Sequence, residues 1–357
     1  LDIDNIPLDD KKTFELLAEG KMTGVFQLES RVAQSTSRSL KTSTFEDIVA
    51  LVALIRPGPL GAGMHNEFTD RATGRKDIEY LHKDLEEILS ETYGVILYQE
   101  QVMQIAQKIS GFELEEADEL RKAMGKKIPK VMEKQREKFT IGATKNGYSE
   151  QFAIELFDQI AYFAGYGFNK SHSVPYALLA YQTAYLKANY PAEYIAACLT
   201  AVKRDKDRTA IFLSEARDLG VKVSTPDINE SLEDFSVSNN EIVFGISAIR
   251  NVGDITAEKI INERRNGPFE TIEEFLSRID SRSLNKRGIE AMVQGGAFDR
   301  FGFPRRGVFE SITDLIEDAK DLKKNGQSSQ GSLFEIDDTE NKTKIQNVEW
   351  DKKELLD

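Results

Sequence analysis

The sequence is poor in the residues that build disulfides, metal centres and membrane spans. Its single cysteine, Cys198, excludes an internal disulfide and is typical of a reducing, cytoplasmic compartment. Because it lies in the apolar string YIAACLTA, a packed core thiol is favoured over a nucleophile. Three scattered histidines show no metal-ligand spacing. No apolar run approaches about 18 residues, so no membrane segment and no membrane partner are predicted.

The amino terminus has neither an initiator methionine nor a basic leader. It opens on LDIDNIPLDDKK, which is acidic, so no signal peptide is predicted and the chain is expected to continue a longer one. Asp9 and Asp10 are expected to cap the helix KKTFELLAEG. Asp2 and Asp4 form the only carboxylate spacing that suggests metal ligands, and their place at the chain start disfavours that use.

Acidic residues outnumber Lys and Arg by 60 to 47, and a net charge of −13 is unusual for a nucleic-acid-binding protein. The charge is, however, unevenly distributed. Between residues 119 and 145, nine Lys or Arg stand against three acids, whereas the stretch from residue 310 onward is acidic. A basic patch within an acidic chain indicates local contact with phosphate groups.

Apolar periodicity predicts a mainly α-helical fold of two or three domains. Helices are expected before a cap at Gly111, after a cap at Ser149, and from a cap at Ser173 to Asn189. Short β-branched runs from residue 221, with a turn at residues 239–240, predict a small β element. Helices resume near Thr256, and the polar stretch from residue 323 is predicted to be a mobile, acidic linker.

Two segments present cations in a distinctive setting. In ALIRPGPLGAG, prolines and glycines stiffen a turn whose arginine, Arg56, can meet a phosphate bidentately. In RKAMGKKIPK, the cations have no interleaved acids, which favours contact with a polyanion. Its candidate residues are Arg121, Lys122, Lys126 and Lys127. A rigid loop with a solvated arginine, and a solvated charged face, are the respective alternatives.

The segment AGYGFNKSHSVPYALLAYQTAYLKANY places a glycine-rich turn before a long helix. A helix N terminus offers free backbone N–H groups and a positive dipole end, so a triphosphate site is predicted there. Its candidate residues are Asn169, Lys170, Ser171, His172 and Tyr176. The tyrosines further along the helix, Tyr181 and Tyr185, share a face and either present a ring to a base or pack in the core. His172 is alternatively a structural histidine.

The segment ISAIRNVGDITAEKII fits a helix–hairpin–helix, whose hairpin N–H groups contact a DNA phosphate without reading bases. Asn251 replaces the usual first glycine, and Asn tolerates a left-handed backbone. A second such unit follows in SLNKRGIEAMVQGGAFDRFG. The candidate phosphate contacts are Arg250, Asn251, Val252, Gly253, Lys259, Asn285, Lys286 and Arg287. A protein-packing role for both units is the alternative.

The sequence QGSLF, inside the polar stretch, is typical of a short linear motif. Gln330 would anchor it by hydrogen bonds, and Leu333 and Phe334 would form a hydrophobic plug.

Read in order, these segments closely resemble the C family of bacterial replicative DNA polymerases, the alpha subunits of DNA polymerase III. The resemblance is carried by IDNIPLDDKKTFELL, TGVFQLES, FEDIVALVALIRPGPL, YGVILYQEQVMQIA, RKAMGKK, FAGYGFNKSHSVPYALLAYQTAYLKANYPAEY, TPDIN and GGAFDRFG. It leads us to expect a fingers domain at 1–220, a β connection at 221–245, tandem helix–hairpin–helix units at 246–310, and a linker with a clamp-binding motif at 311–357.

The same resemblance implies roles and partners. Arg56, the basic run and the turn at residues 169–172 would face the incoming deoxynucleoside triphosphate (dNTP) and template-primer DNA. QGSLF would bind the sliding clamp, with other replisome subunits as further partners. The catalytic aspartates and their Mg²⁺ would belong to a palm domain that precedes this chain, which would be inactive alone although its parent is a DNA-directed DNA polymerase. A stand-alone DNA-binding or scaffold module without catalysis is the alternative hypothesis.

Overall fold

The computed structural model describes residues 1–126, 129–164, 166–280, 284–327 and 343–351. These residues form eighteen α-helices and one small three-stranded sheet, which confirms the predicted mainly α fold. The chain divides into two compact units, residues 1–189 and 190–357. None of the described helices is both long and apolar enough to cross a bilayer.

The first unit is helical, with short 3-10 turns at Ile3–Asn5, Lys83–Leu85 and Ser90–Thr92. Its helices are α1 (Lys11–Ala18), α2 (Arg31–Leu40), α3 (Phe45–Leu54), α4 (Pro57–Gly61), α5 (Met64–Ala72), α6 (Glu86–Leu89), α7 (Gln99–Ser110), α8 (Leu114–Lys126), α9 (Pro129–Lys145), α10 (Glu150–Ala164) and α11 (Lys170–Asn189).

Several helix ends lie where local chemistry predicts them. The Asp10 carboxylate accepts the Thr13 N–H at 2.9 Å and starts α1, so this predicted cap is confirmed. Ser149 caps α10 by accepting the Phe152 N–H at 3.2 Å. Gly111 ends α7 with a positive φ of 66°, a conformation that favours glycine.

The start of α11 differs from the prediction, because the helix begins at Lys170 and not after Ser173. The Asn169 side chain accepts the His172 N–H at 2.9 Å and acts as the cap. The Ser173 hydroxyl is buried and donates to the Val49 carbonyl of α3 at 2.6 Å. The side chain of Ser173, which the local sequence predicts to be a helix cap, therefore bonds to a residue of another helix instead.

The first unit has two apolar cores. One lies between α3 and α11, where Ile48, Leu51 and Leu54 are fully buried. Tyr181 is also fully buried there, and its hydroxyl donates to the Pro7 carbonyl at 2.6 Å, so the core alternative is correct for this tyrosine. The other core joins α7 to α10 around residues such as Phe139.

The second unit combines helices with the sheet and has 3-10 turns at Ile246–Ala248, Arg264–Asn266 and Asp299–Phe301. Its elements are α12 (Pro191–Val202), α13 (Lys206–Asp218), β1 (Val223–Ser224), β2 (Ser236–Ser238), β3 (Glu241–Val243), α14 (Asp254–Glu263), α15 (Ile272–Arg278), α16 (Lys286–Gly295), α17 (Arg305–Glu310) and α18 (Ile312–Gln327).

The predicted β element is confirmed as a sheet of order β1-β3-β2. β1 pairs with β3 in parallel, and β2 pairs with β3 antiparallel through a turn in which Asn239 and Asn240 both have positive φ. α12 and α13 pack with this sheet around residues such as Phe212 and Ile242. Both helices were expected in the first domain, but they belong to the second compact unit. Cys198 of α12 is half-buried and packs against the same core.

A helix occupies the first part of the range expected to be a linker. Ile312, Leu315 and Ala319 recur at helical spacing and are buried, so α18 packs against the unit. The segment 343–351 also packs, because the Gly307 N–H donates to the Val348 carbonyl at 3.0 Å. The predicted clamp motif, with Gln330, Leu333 and Phe334, lies outside the described residues, and the domain boundaries stay predictions.

Candidate functional site

A main-chain bridge holds the turn that precedes α11. The Gln99 N–H donates to the Phe168 carbonyl at 2.9 Å, and the Phe168 N–H donates to the Leu97 carbonyl at 3.1 Å. These bonds join segments about 70 residues apart and place the turn beside the start of α7. The candidate site is built around this turn, which we call the bridge turn and define as residues 166–170.

The N-terminal N–H groups of α11 are less open than predicted. The Lys170 N–H donates to both carboxylate oxygens of Glu100, at 3.0 and 3.1 Å, and the His172 N–H is capped by Asn169. A carboxylate at this position is itself stabilised by the helix dipole. The turn therefore already binds an anionic group of the protein, and ligand contact would depend more on side chains than expected.

The Lys170 side chain reaches the surface beside the bridge turn. Its Nζ lies 2.6 Å from Glu91 and 5.4 Å from the centre of the Tyr98 ring. Both partners of the ion pair are more than a third exposed, and such pairs stabilise a protein by about 1 kcal/mol or less. An incoming polyanion could replace Glu91 at small cost.

Arg56 also contacts the bridge turn and is held without a carboxylate among the described residues. Its Nε donates to the Ala53 carbonyl at 2.9 Å and its Nη2 to the Tyr166 carbonyl at 2.8 Å. The guanidinium also stacks over the Phe168 ring. Burial lowers the pKa of Arg56, but a guanidinium stays protonated in proteins.

Aromatic rings continue from the turn along α11. Phe168 contacts His172 with ring centres 5.6 Å apart, and His172 contacts Tyr176 at 4.5 Å. Tyr176 in turn lies 5.7 Å from Phe26. His172 is exposed and Tyr176 half-buried, so both present ring surface beside the cations. Ser171 is exposed at the same helix start.

The basic segment RKAMGKKIPK contacts the bridge turn through Gln99. Arg121 donates to the Gln99 Oε1 at 3.2 Å, and Gln99 Nε2 donates to the Gly167 carbonyl at 3.3 Å. Arg121 and Lys122 also share the carboxylate of Asp118, so this part of the run is paired, contrary to the expectation of unopposed charge.

The structure thus brings Arg56, Arg121 and the residues of the turn together. Lys126 ends α8, and Lys127 lies outside the described residues. Gln99, Glu100 and Phe168 were missed from sequence, since their role depends on the bridge between distant segments.

Carboxylates do not form a metal site in the described part of the chain, where no three His, Cys, Asp or Glu side chains converge. Asp2 instead accepts the Asp4 N–H at 3.2 Å and a side-chain N–H of Asn5 at 2.7 Å, so it caps a 3-10 turn. These residues do not fit a Mg²⁺ centre.

The first hairpin has the predicted backbone. Asn251 has a φ of 62°, in the left-handed region, and is exposed together with Arg250 and Gly253. Val252 is buried, and its N–H donates to the Ile249 carbonyl at 3.1 Å. Val252 therefore supports the hairpin, and its N–H is bonded within it; its contact with DNA stays a prediction.

The second helix–hairpin–helix segment lies against the first hairpin. Asn285 caps α16 by accepting the Gly288 N–H at 2.9 Å. A Cβ on Gly288 would lie 3.2 Å from the Asn251 carbonyl, so the two helix–hairpin–helix segments are in close contact. Arg287 and Lys259 are exposed, and Lys286 donates to Thr313 at 2.9 Å.

A half-buried lysine links the first hairpin to the end of α12. Lys203 Nζ donates to Asp234 at 2.6 Å, to Ser247 at 2.9 Å and to Asp254, the first residue of α14, at 2.9 Å. Burial opposes the charge of Lys203, but the bonds to both carboxylates outweigh it and raise its pKa. The Lys203 bond also lowers the pKa of Asp254.

Two family models match the chain. Residues 1–147 match the bacterial DNA polymerase III alpha subunit finger domain, and residues 220–308 match a helix–hairpin–helix motif.

Curated relatives named DNA polymerase III subunit alpha match across nearly the whole chain. The relative from Mycobacterium tuberculosis is 43% identical over 100% of the chain, that from Thermus aquaticus 47% over 94%, and that from Escherichia coli 46% over 94%. The chain spans only 31%, 28% and 30% of these relatives, respectively.

Proposed function

The chain belongs to the bacterial DNA polymerase III alpha-subunit family, and on that basis we propose that it supplies the nucleotide-gripping and DNA-gripping parts of a template-directed DNA polymerase. Its first unit would contact the incoming dNTP and the template, and its second unit would contact duplex DNA. The parent protein would be a nucleotidyltransferase, and this chain alone would be inactive.

The proposed nucleotide site is supported by three cations that lie together at the bridge turn. Lys170 belongs to the turn, Arg56 donates to its Tyr166 carbonyl, and Arg121 reaches it through Gln99. Their cations would neutralise a triphosphate and stabilise the departing pyrophosphate, because charge develops there in the transition state. The exposed ring of His172 and the half-buried ring of Tyr176 would lie beside the nucleotide or its template base. Mg²⁺, the expected cofactor, would be held by the palm aspartates that the family resemblance places outside this chain.

The nucleotide site is tested with Lys170→Ala in the intact polymerase. Removing one donor to developing charge lowers the rate by about 10²-fold in well-studied cases, so a similar loss of kcat/KM for dNTP is expected. Lys76→Ala is the matched control, because Lys76 makes an ion pair with Glu67 of similar exposure away from the turn. Equal kcat/KM in both variants would contradict the site.

The second unit would bind duplex DNA through phosphates and without sequence preference. The adjacent hairpins present Arg250, Asn251, Gly253 and Arg287 at the surface, with Lys259, Asn285 and Lys286 nearby on the two helices. Binding measured by fluorescence anisotropy should weaken with salt, with a log–log slope of about 0.9 per phosphate contacted. A flat salt response would favour the protein-packing alternative.

The clamp-binding role rests on the sequence QGSLF alone. Leu333 and Phe334 in a polar stretch would fill an apolar pocket on the sliding clamp, with Gln330 as the polar anchor. Other replisome subunits would be further partners of the parent polymerase.

A further inference from the structure

A cleft of about 880 Å³ lies in the second unit and borders the two hairpins, because Arg250, Asn251 and Arg287 are among its lining residues. Its walls are the strand β1 with its flanking residues 221–226, the end of α13, the segment 248–251 and one face of α16. Much of the lining is aliphatic, for example Leu213, Val221 and Ala291. The lining residues include a single aromatic ring, that of Phe244.

One wall of the cleft is an open sheet edge. β1 is an edge strand, because the sheet order is β1-β3-β2. The Ile242 N–H donates to the Lys222 carbonyl, so Lys222 and Ser224 point their main-chain groups toward β3. The intervening Val223 then directs its N–H and carbonyl to the opposite side. Within the described residues this edge has no partner strand, and such an edge can accept an added one.

The cleft also gathers cations that lack partners. In the described part of the second unit, four arginines have neither a carboxylate nor a carbonyl partner: Arg217, Arg250, Arg265 and Arg287. Three of these, all but Arg265, line the cleft, where Glu290 is the only acidic side chain. Such clustering is unusual in a chain with a net charge of −13, and it favours an anionic ligand.

We propose that this cleft binds an extended acidic peptide, which adds a strand to the free edge of β1. Its main chain would pair with Val223, its apolar side chains would lie on the aliphatic wall, and its carboxylates would meet the three arginines. A single strand of nucleic acid fits less well, because such sites stack bases on several aromatic rings. Arg250 and Arg287 are shared with the proposed duplex contact, whereas Arg217 and β1 take no part in it and therefore distinguish the two roles.

The test uses the whole chain and a fluorescein-labelled octapeptide that alternates glutamate with valine. Binding is followed by fluorescence anisotropy, beside a control peptide with lysine in place of glutamate and a third peptide with N-methyl groups along its backbone. The acidic peptide should bind, and both controls should bind at least about tenfold more weakly, since one lacks the charge and the other cannot pair with a strand edge.

Two protein variants distinguish peptide binding in the cleft from a general effect of the protein's net charge. Arg217→Glu should weaken peptide binding about tenfold, the loss expected for a close charge pair, while leaving duplex binding unchanged. Arg265→Glu makes the same charge change at an unpaired arginine outside the cleft and should leave peptide binding intact. Thermal melting checks that both variants are folded.

Three outcomes would overturn the proposal. The acidic peptide fails to bind, or the N-methylated peptide binds equally well, or Arg217→Glu and Arg265→Glu weaken binding alike. A labelled 12-nucleotide single strand is the competing ligand. If it binds more tightly than the peptide and loses affinity in Arg217→Glu alone, the cleft is a nucleic-acid site instead.

Discussion

The guanidinium carbon of Arg56 lies 4.1 Å from the centre of the Phe168 ring, and the same side chain donates to the Tyr166 carbonyl. Two segments more than a hundred residues apart are thereby joined at the bridge turn. A planar cation is needed for both contacts at once, because it stacks flat while its nitrogens point outward in fixed directions.

Arg56→Lys should therefore disturb the turn although it keeps the charge. Lysine cannot stack flat and reach both carbonyls, and each lost charge-assisted bond removes about 1.5–3 kcal/mol in favourable cases. We expect a lower Tm and reduced kcat/KM for dNTP in the intact polymerase. Arg75→Lys, at an exposed pair with Asp70, is the control and should change neither quantity. Wild-type values for Arg56→Lys would show that the charge alone suffices.

Two substitutions at Asn169 separate helix capping from ligand binding. Asn169→Ala removes the cap of α11 and should lower the free energy of unfolding by about 1 kcal/mol. Asn169→Asp keeps a cap oxygen and should retain stability, but its negative charge should repel a triphosphate and raise the KM for dNTP. Chemical denaturation and steady-state kinetics measure the two effects. An unchanged KM in Asn169→Asp would place the triphosphate away from this turn.

Gly253→Ala should affect DNA binding but not folding. The backbone at Gly253 has a negative φ, and an added Cβ meets no atom within 4 Å, so the fold has room for it. A methyl group at the exposed hairpin would hold a phosphate away from the backbone, and we expect an affinity loss of about tenfold for one disrupted contact.

Gly288→Ala is the contrasting variant. Its Cβ would lie 2.7 Å from the Leu284 side chain and 3.2 Å from the Asn251 carbonyl, so it should lower the Tm. Unchanged duplex affinity in a folded Gly253→Ala protein would show that this hairpin does not approach the phosphate backbone.

The Lys203–Asp254 contact predicts a pH dependence of stability in the second unit. The pKa of Asp254 is lowered in the folded state, so its contribution is present above its ordinary value of 3.8 and is lost as the pH falls through the folded pKa. The pKa of Lys203 is raised, so its contribution is present below 10.5 and is lost at higher pH.

Asp254→Asn should accordingly lower the Tm at pH 7 and have a smaller effect at pH 3, because the contribution of the ionised carboxylate decreases once the pH is below its ordinary pKa of 3.8. Differential scanning calorimetry at both pH values measures the difference. A Tm difference of equal size at both pH values would indicate that the side chain acts by packing and not by charge.

The clamp motif is tested by Leu333→Ala together with Phe334→Ala. Loss of both plug side chains should abolish binding of the chain to the sliding clamp, because buried apolar anchors dominate such interfaces. Surface plasmon resonance against immobilised clamp measures this. Thr343→Ala, in the neighbouring described segment, serves as a control. Retained binding in the double variant would place the clamp contact elsewhere.

Local chemistry predicts those features that depend on neighbouring residues. Asp10 and Ser149 cap helices because their side chains reach N–H groups three residues ahead, and Asn251 takes the left-handed backbone expected of it. Ser173 shows the limit, since its hydroxyl bonds to Val49 in another helix. The contact between Glu100 and the first N–H of α11 could not be predicted either, because no residue near Lys170 in the sequence indicates that this carboxylate lies there.

The bridge between the segments of Tyr98 and Phe168 bears on how this region can change over time. Its two hydrogen bonds join main-chain atoms only, so no side-chain replacement other than proline deletes a donor from it. Side chains around the turn can therefore be exchanged while its position is kept. A lineage could in this way alter what the turn recognises without having to rebuild the scaffold that holds it.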